Sequence, residues 1–454
     1  IFANYFRNMK RFFETLRNIW RVEELKNRIL VTLGLILVFR IGSFVVLPGV
    51  DTYALAEAAK NAKQGGLADI LALFSGGAFT NASIMALGIM PYISASIIMQ
   101  LLGMAVPAVQ KMQKEGESGR NKINNITRWL TIAICAAQAP SYLGLYVGSA
   151  DAIIDSSALW WIQSTLILIA GTMFAMWLGE RITDRGVGNG ISLLITVGIL
   201  AGLPAAFLQE IISKSNNPIM IIMEIVIFMV VVLVTVLIVQ GVRKVPVSVA
   251  KKIVQSRGAV EAGGVRDYIP LKVNASGVMP IIFAQAVMTV PIMLMSSMAD
   301  QDGASTFMGL GDIFGFGYNA ILFVLILVFT YFYTAIMINP KQMAEDMKMQ
   351  GSFIPGVKPG EETATYLDEL ISRITIPGAL FLAIIAIIPA FAKLAGVTDG
   401  FSMFFGGTSL LIMVAVVLDT LQQIESYLLN RHYDGLMEGT KVRGRRTDAE
   451  LSGI

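Results

Sequence analysis

IMIIMEIVIFMVVVLVTVLIV, residues 219–239, carries one ionisable side chain, Glu224, and one hydroxyl, Thr235, among Ile, Val, Met, Leu and Phe. As a helix such a run is about 30 Å long, the thickness of a hydrocarbon core. Hydrocarbon gives backbone N–H and C=O groups no partner, so the run crosses as a helix that makes its backbone bonds internally. Nine further stretches read alike, which places spans at 29–47, 82–106, 127–147, 159–178, 191–212, 219–239, 274–298, 319–338, 374–394 and 403–424. The expected fold is an all-α polytopic membrane protein with ten transmembrane helices.

Charge orients the chain. Of 35 Lys and Arg residues, 30 lie in the N-terminus (1–28), the C-terminus (425–454) and alternate loops (104–128, 180–190, 241–272, 340–373). The intervening loops hold only Lys60, Lys63, Lys214 and Lys393, and Arg40 falls within the first span. Loops rich in Lys and Arg stay in the cytoplasm, so both termini are expected there; the net charge of +3 alone says little. The outer loops carry Asp151, Asp155, Asp300, Asp302 and Asp312 instead.

With 454 residues, 55% hydrophobic and 15% charged, no sizeable soluble domain is left over. The expected divisions are a basic amphipathic N-terminal region (1–28), a first half (29–212), a second half (219–424) with cytoplasmic docking loops 241–272 and 340–373, and a C-terminal tail (425–454). The chain begins at Ile1 without an initiator Met, which suggests an incomplete start. No short apolar core precedes a small-residue cleavage site, so the first span is expected to be permanent. Cys135 and His432 are single, which excludes an internal disulfide and disfavours zinc or haem. Neither a catalytic triad nor a cofactor site is expected. Gly186-Val187-Gly188-Asn189-Gly190 follows a span rather than a strand and lacks the GxGxxG spacing, so it reads as a tight turn.

Ten spans divide into five and five, and an odd number per half turns the halves over relative to each other, the arrangement that forms polar paths at a repeat interface. The second span contains Ser83, Pro91, Tyr92, Ser94, Ser96 and Gln100; the seventh contains Asn274, Ser276, Gly277, Pro280, Gln285, Thr289 and Pro291. Unpaired amides and hydroxyls are costly against lipid, so these spans face each other or an aqueous path, or act as polar glue between packed helices. Before the second span, Leu67 to Phe74 is apolar, too short to cross and bracketed by Gly65-Gly66 and Gly76-Gly77. It reads as a re-entrant half-helix or an external loop helix. At the N-terminus, Met9, Phe13, Leu16 and Trp20 recur at helical spacing among Arg and Lys, which suits an interfacial helix or one packed on the cytoplasmic loops.

FSGGAFTNASIMALGIMPYISASIIMQLL (74–102), KEGESGR (114–120), WLGERITDRGVGNGISLLI (177–195), LKVNASGVMP (271–280), NPKQMAEDMKMQGSFIPGVKPGEETATYLD (339–368) and FGGTSLLIM (405–413) stand in this order along the chain. Together they resemble the SecY/Sec61-alpha family, the central channel subunits of protein translocases, in its bacterial form. The resemblance implies two inverted five-helix halves around an hourglass pore that opens across the membrane and sideways to lipid. It implies SecE and SecG subunits, the SecA ATPase and the ribosome as partners, with signal peptides, unfolded preproteins and membrane lipid as what the channel handles.

The resemblance also implies residue roles. A pore ring maps onto Ile89, Ile93, Ile191, Ile195, Ile282 and Ile412; Ile89/Ile93 and Ile191/Ile195 are each four apart and share a helix face. Such an aliphatic constriction dewets when empty and so holds back ions. The short segment Leu67, Ala68, Asp69, Ile70, Leu71, Ala72, Leu73, Phe74 matches the plug. The second and seventh spans match the lateral gate, completed by the third and eighth, with Gln100, Gln138 and Asn274 as a polar cluster and Ser94 and Val290 facing each other. Arg243, Lys244, Lys251, Lys252, Arg257 and Lys358 match ribosome and SecA docking positions, with Arg266, Lys341 and Lys348 nearby. On composition alone these basic loops also suit topology signals or lipid headgroups. Lys358 stands where the family usually has arginine, which keeps the charge but loses the planar fork.

The rival reading is a secondary transporter, which needs coupled ionisable groups near the midplane. Arg40, Glu224 and Asp419 are the candidates, and they are scattered.

Overall fold

The computed structural model describes residues 22–61, 72, 74–148, 150–215, 217–249, 253–254, 260–261, 265–274, 276–285, 287–288 and 313–439. The expectations for the N-terminal helix (6–20), Leu67–Leu71, Leu73, Lys251, Lys252, Arg257, Val290 and the tail beyond 439 lie outside them.

The first half contains α1 (Glu23–Gly42), α2 (Thr52–Asn61), α3 (Met90–Ala105), α4 (Pro107–Lys114), α5 (Glu117–Tyr142), α6 (Ala158–Arg185) and α7 (Gly190–Ser213). The second contains α8 (Pro218–Val239), strands β1 (Val242–Val249), β2 (Ile253–Val254), β3 (Val260–Glu261) and β4 (Val265–Lys272), and helical residues 279–285 and 287–288. It continues through α9 (Phe316–Met337), α10 (Pro340–Met349), β5 (Ser352–Phe353), α11 (Glu361–Leu394), α12 (Asp399–Ser402) and α13 (Gly407–Gly439). Among the described residues seven helices are long and apolar enough to cross a membrane, and α3 with α4 makes an eighth if counted as one broken span. The first predicted span is α1, 20 residues with Lys26, Arg28 and Arg40. Of the seventh, only the first part is described.

Local chemistry starts and stops these helices. Asn189 caps α7 by accepting from the Ser192 N–H at 3.2 Å, and Ser157 caps α6 by accepting from the Trp160 N–H at 3.3 Å. Pro218 and Pro340 occupy first-turn positions of α8 and α10, where a missing N–H costs nothing. On α8 the burial pattern is inverted relative to a water-soluble helix. Its buried residues are the polar Glu224 and Thr235, while Ile222, Val226, Met229, Leu233 and Leu237 are exposed. Lipid accepts the aliphatic face, and the polar groups turn inward for partners.

The second predicted span departs from a simple crossing. Helix begins only at Met90, and beyond Gly103 the chain bends by 102° into 107–113. Residues 76–89 are turns instead, because Gly76, Gly77 and Gly88 hold φ of 64°, 86° and 53°, a conformation open to glycine. Non-helical backbone at membrane depth is tolerated only inside protein, and this segment obeys: Ala78, Ala82, Ser83, Met85 and Ala86 are all buried. Its polar backbone is satisfied by a bridge to the chain after α1, with Leu47 N–H donating to Ala82 at 2.9 Å and Ile84 N–H to Val45 at 2.8 Å. Arg40 donates Nη1 to the Gly76 carbonyl at 2.8 Å, and the Tyr142 hydroxyl donates to the Phe79 carbonyl at 2.7 Å. The charge within the first span is thus a backbone clamp.

Strands from loops 241–272 and 340–373 form a small antiparallel sheet, ordered β4-β1-β5, in a mostly helical fold. Val245 pairs with Ile269 and Val247 with Asp267. Val245, Val247 and Leu271 turn inward onto Met347, Ile354, Leu367 and Ile371, while Arg243 and Lys244 point to water.

The 76–89 segment packs flush on α6: a Cβ on Gly171 falls 1.9 Å from the Ile84 carbonyl oxygen, whereas one on Gly34 meets nothing within 4 Å. Gly171→Ala is expected to cost about 1–3 kcal/mol through overpacking. Gly34→Ala is expected to gain up to about 1 kcal/mol from helix propensity. Thermal denaturation of the detergent-purified protein checks this; equal melting temperatures for the two variants contradict the packing.

Candidate functional site

Where the two halves meet, five of the six ring isoleucines share one apolar cluster. Ile195 and Ile412 are buried in it, at 7% and 2% exposure, and Ile93, Ile191 and Ile282 pack against it. They arrive from α3, α7, the 279–285 segment and α13, so both halves contribute. Ile89 sits at the N-cap of α3 in the adjoining cluster with Phe39, Met85 and Leu178, which Ile93 and Ile191 also touch. Phe74, the last residue of the expected plug, packs on the central cluster too. Gly198 allows this approach, since a Cβ there would lie 2.8 Å from the Phe74 carbonyl oxygen. Val278, Ile388 and Phe405 belong to the same cluster; the expected ring did not include them.

On one side of this centre, α3 faces the 279–288 segment and α9. Ile97, Phe283 and Tyr333 are buried together, flanked by Ile93, Leu101, Ile282 and Phe329. The Phe283 ring stacks edge-on to Tyr333 with centroids 5.1 Å apart. Among the described residues a hydrogen bond crosses here from the Tyr333 hydroxyl to Gln100 Oε1 at 2.7 Å. Ile93 and Ile282 pack against both this seam and the central cluster.

The expected polar cluster of Gln100, Gln138 and Asn274 is wired differently. Gln100 takes Tyr333 and its own Ser96, Asn274 accepts from Ser276 at 3.4 Å, and Gln138 is half-buried on α5 without a hydrogen bond among the described residues. Ser94 is half-buried on α3. Tyr333 is the partner the sequence reading missed; a phenol within the apolar run FTYFYT was the available signal.

The opposite seam, α7 against α12 and α13, is held more firmly. At one end of it the Gly188 N–H donates to Gln423 Oε1 at 3.1 Å, and beside it the Arg28 guanidinium of α1 lies 5.1 Å from the Tyr427 ring centre. At the other end Glu210 Oε2 accepts from the Thr398 N–H at 3.0 Å and from its hydroxyl. The three ionisable groups suggested for a transporter have separate surroundings: Arg40 on Gly76, Glu224 on Lys214, and Asp419 on Gln423.

The docking candidates among the described residues lie in loops 241–272 and 340–373. Arg243 lies opposite Leu271, and Lys244 opposite Pro270, on the hairpin β1–β4. Lys358 occupies a glycine-bounded turn, with Gly356 at φ 89° and Gly360 at φ 112°. Its side chain is 85% exposed and lies 3.4 Å from Glu362 Oε1. Arg266 is at a strand position in β4, and Lys341 and Lys348 are exposed on α10.

A family model named SecY matches residues 83–421. The protein translocase subunit SecY of Vibrio cholerae is 38% identical over 93% of this chain and 96% of its own length. That of Bacillus licheniformis is 40% identical over 94% of this chain and 100% of its own. Among solved structures, one described as a protein-conducting channel superimposes with a TM-score of 0.61 at 18% identity, covering 92% of this chain and 95% of its own. Canine Sec61 in a ribosome-channel complex gives 0.57 at 18% identity, over 92% and 95%. The low identity of these structures speaks to the fold alone, but the sequence matches run nearly end to end, and this chain belongs to the SecY family.

Proposed function

We infer that this chain is the pore-forming subunit of a protein translocase, a passage for unfolded polypeptides and a lateral exit for transmembrane helices, and not an enzyme. The observation that carries this reading is the junction of the halves: an aliphatic cluster contributed by both, bordered on one side by a seam that is mainly apolar among the described residues. A polypeptide has to pass while ions do not. A ring of isoleucines serves both needs, because apolar side chains exclude water when the passage is empty and yield around a chain of any sequence. Phe74 seated on that ring fits a plug at its outer side. The seam is suited to opening, since a net hydrogen bond is worth only about 1 kcal/mol and an incoming apolar helix replaces the contacts that Ile97 and Phe283 lose.

The finer assignments follow from charge and exposure. The asymmetry of Lys and Arg supports a bacterial cytoplasmic membrane with both termini inside. Arg243, Lys244, Lys358 and their neighbours form an exposed basic face suited to ribosomal RNA phosphates and to the SecA motor. Of the similar structures, canine Sec61 is described in a ribosome-channel complex and the yeast Ssh1 complex as bound to the 80S ribosome. The exposed aliphatic faces of α1 and α8 leave room for small membrane partners of the SecE and SecG kind, as well as lipid. The transporter alternative finds less support, because Arg40, Glu224 and Asp419 are each tied to a local partner.

Ile282→Gly and Ile412→Gly are each expected to raise ion conductance of the resting channel several-fold in planar bilayers, as the constriction widens and wets. Unaltered conductance in both removes these residues from the seal. In a reconstituted assay driven by the motor ATPase, Lys358→Glu is expected to slow translocation severalfold more than Lys348→Glu, since the turn holds the Lys358 charge in place. Equal losses contradict the assignment of Lys358, and translocation that does not depend on the motor at all contradicts the function.

A further inference from the structure

Helical residues 279–285 present three consecutive side chains to three different surroundings. Ile281 is fully buried in one cluster with Leu382, Leu410 and Leu411; Ile282 packs on the central cluster that contains Ile412; and Phe283 lies in the seam with Ile97 and Tyr333. One short stretch thus carries both a ring isoleucine and a seam aromatic, and a rotation about its axis moves both. Aliphatic contacts alone fix that rotation weakly, since one apolar neighbour exchanges for another at little cost in a bilayer.

A directional bond supplies what they lack. The Gln285 amide donates Nε2 to Thr408 Oγ1 at the start of α13. Gln285 follows Ile282 by three residues and Thr408 precedes Ile412 by four, so on each helix the polar residue shares a face with the ring isoleucine, one turn along. The bond is therefore a rung beside the ring.

The α13 end of the rung has a firm base. Thr408 is buried, and the next residue, Ser409, donates its hydroxyl to the carbonyls of Met403 at 2.6 Å and Gly406 at 3.1 Å. A Cβ on Gly406 would lie 2.7 Å from the Ile385 carbonyl oxygen, so this turn sits flush on α11. The 279–285 end is the adjustable one: it follows a turn in which Gly277 stands at φ 64° with open space around it.

We propose that Gln285 and Thr408 are positioning residues for the seal: their bond sets the rotation of 279–285 on α13, and with it the place of Ile282 in the isoleucine ring. A rotation that breaks the bond leaves polar groups desolvated and unpaired, a penalty that sliding aliphatic contacts do not impose. The inference rests on the channel reading and deepens it, since a seal has meaning only in a channel.

The test uses the full channel complex in bilayers and two readings. Thr408→Val keeps the shape of the side chain and removes the acceptor; Thr408→Ser keeps the hydroxyl. Resting ion conductance is expected to rise severalfold in Thr408→Val and to stay at the parent level in Thr408→Ser. Gln285→Leu is expected to leak as well, and the double variant no more than the leakier single one, because both remove the same bond. A spin-label pair at Met279→Cys and Val417→Cys, both exposed positions, reads the segment against α13 once Cys135 is replaced by Ala. Its distance distribution is expected to broaden in Thr408→Val and not in Thr408→Ser; should Thr408→Val not assemble, Gln285→Leu decides by the same two readings. An unchanged distribution overturns the rung, and so does a broadened one with parent-level conductance. Ile282→Gly is the reference. If it leaks while Thr408→Val stays tight, the rung alone fails; if it does not leak, the ring itself fails and the rung's role with it.

Discussion

Hydrocarbon offers nothing to a backbone N–H or C=O, and this chain nevertheless carries a non-helical run, residues 76–89, inside its bundle. Much of the architecture follows from housing that run. Arg40 and Tyr142 cap its carbonyls, the chain after α1 pairs with it as a strand would, and Gly171 and Gly198 let helices close on it without side chains in the way. In return, the run shortens the second crossing. Helix starts at Met90 beside the central cluster, so α3 presents Ile93 to that cluster and Ile97 to the seam from a stub not anchored in a full span. A continuous helix from residue 82 would have fixed that face more rigidly.

The two seams between the halves differ in kind. One joins Glu210 to Thr398, Gly188 to Gln423 and Arg28 to Tyr427, tying it at both ends with polar and charged groups. The other, among the described residues, has Tyr333 on Gln100 beside Ile, Leu and Phe. Apolar contacts between helices in a bilayer exchange readily for contacts with lipid or with another apolar helix, since lipid tails are as apolar as leucine. Directional bonds do not exchange in that way. On the proposed reading, the side on which the halves part follows from which seam received the polar groups, and Ile93 and Ile282, packed against both the apolar seam and the central cluster, would connect parting to unsealing.

Hydropathy and charge made the membrane class and most spans legible, because both signals accumulate over some twenty residues and tolerate local irregularity. The short second helix was less so: Gly88 and Pro91 are compatible with a kink as well as with a helix start, and only the buried partners of 76–89 decide. The hairpin β1–β4 escaped because its alternation is brief, Val245 and Val247 around Pro246, within a loop whose charge dominates the reading. Side-chain pairing was the least legible. The polarity of Gln100, Gln138 and Asn274 is plain in the sequence, but which of them meet depends on helix rotation, and the partner Gln100 took was a tyrosine on α9. The i, i+4 spacing of Glu210 and Lys214 is equally plain; that Glu224 folds back onto the same ammonium depends on the turn before Pro218.

The central claim is that the α3/279–288 seam is the moving one. Cysteines introduced at Ile97 and Phe283, which are buried against each other across it, test this most directly once Cys135 is replaced. Oxidation can bridge them only if their Cα atoms come within about 7 Å. The account predicts that the bridged channel neither releases transmembrane helices into lipid nor passes preprotein, and that reduction restores both. Helix release from the bridged channel at the unbridged rate would contradict it.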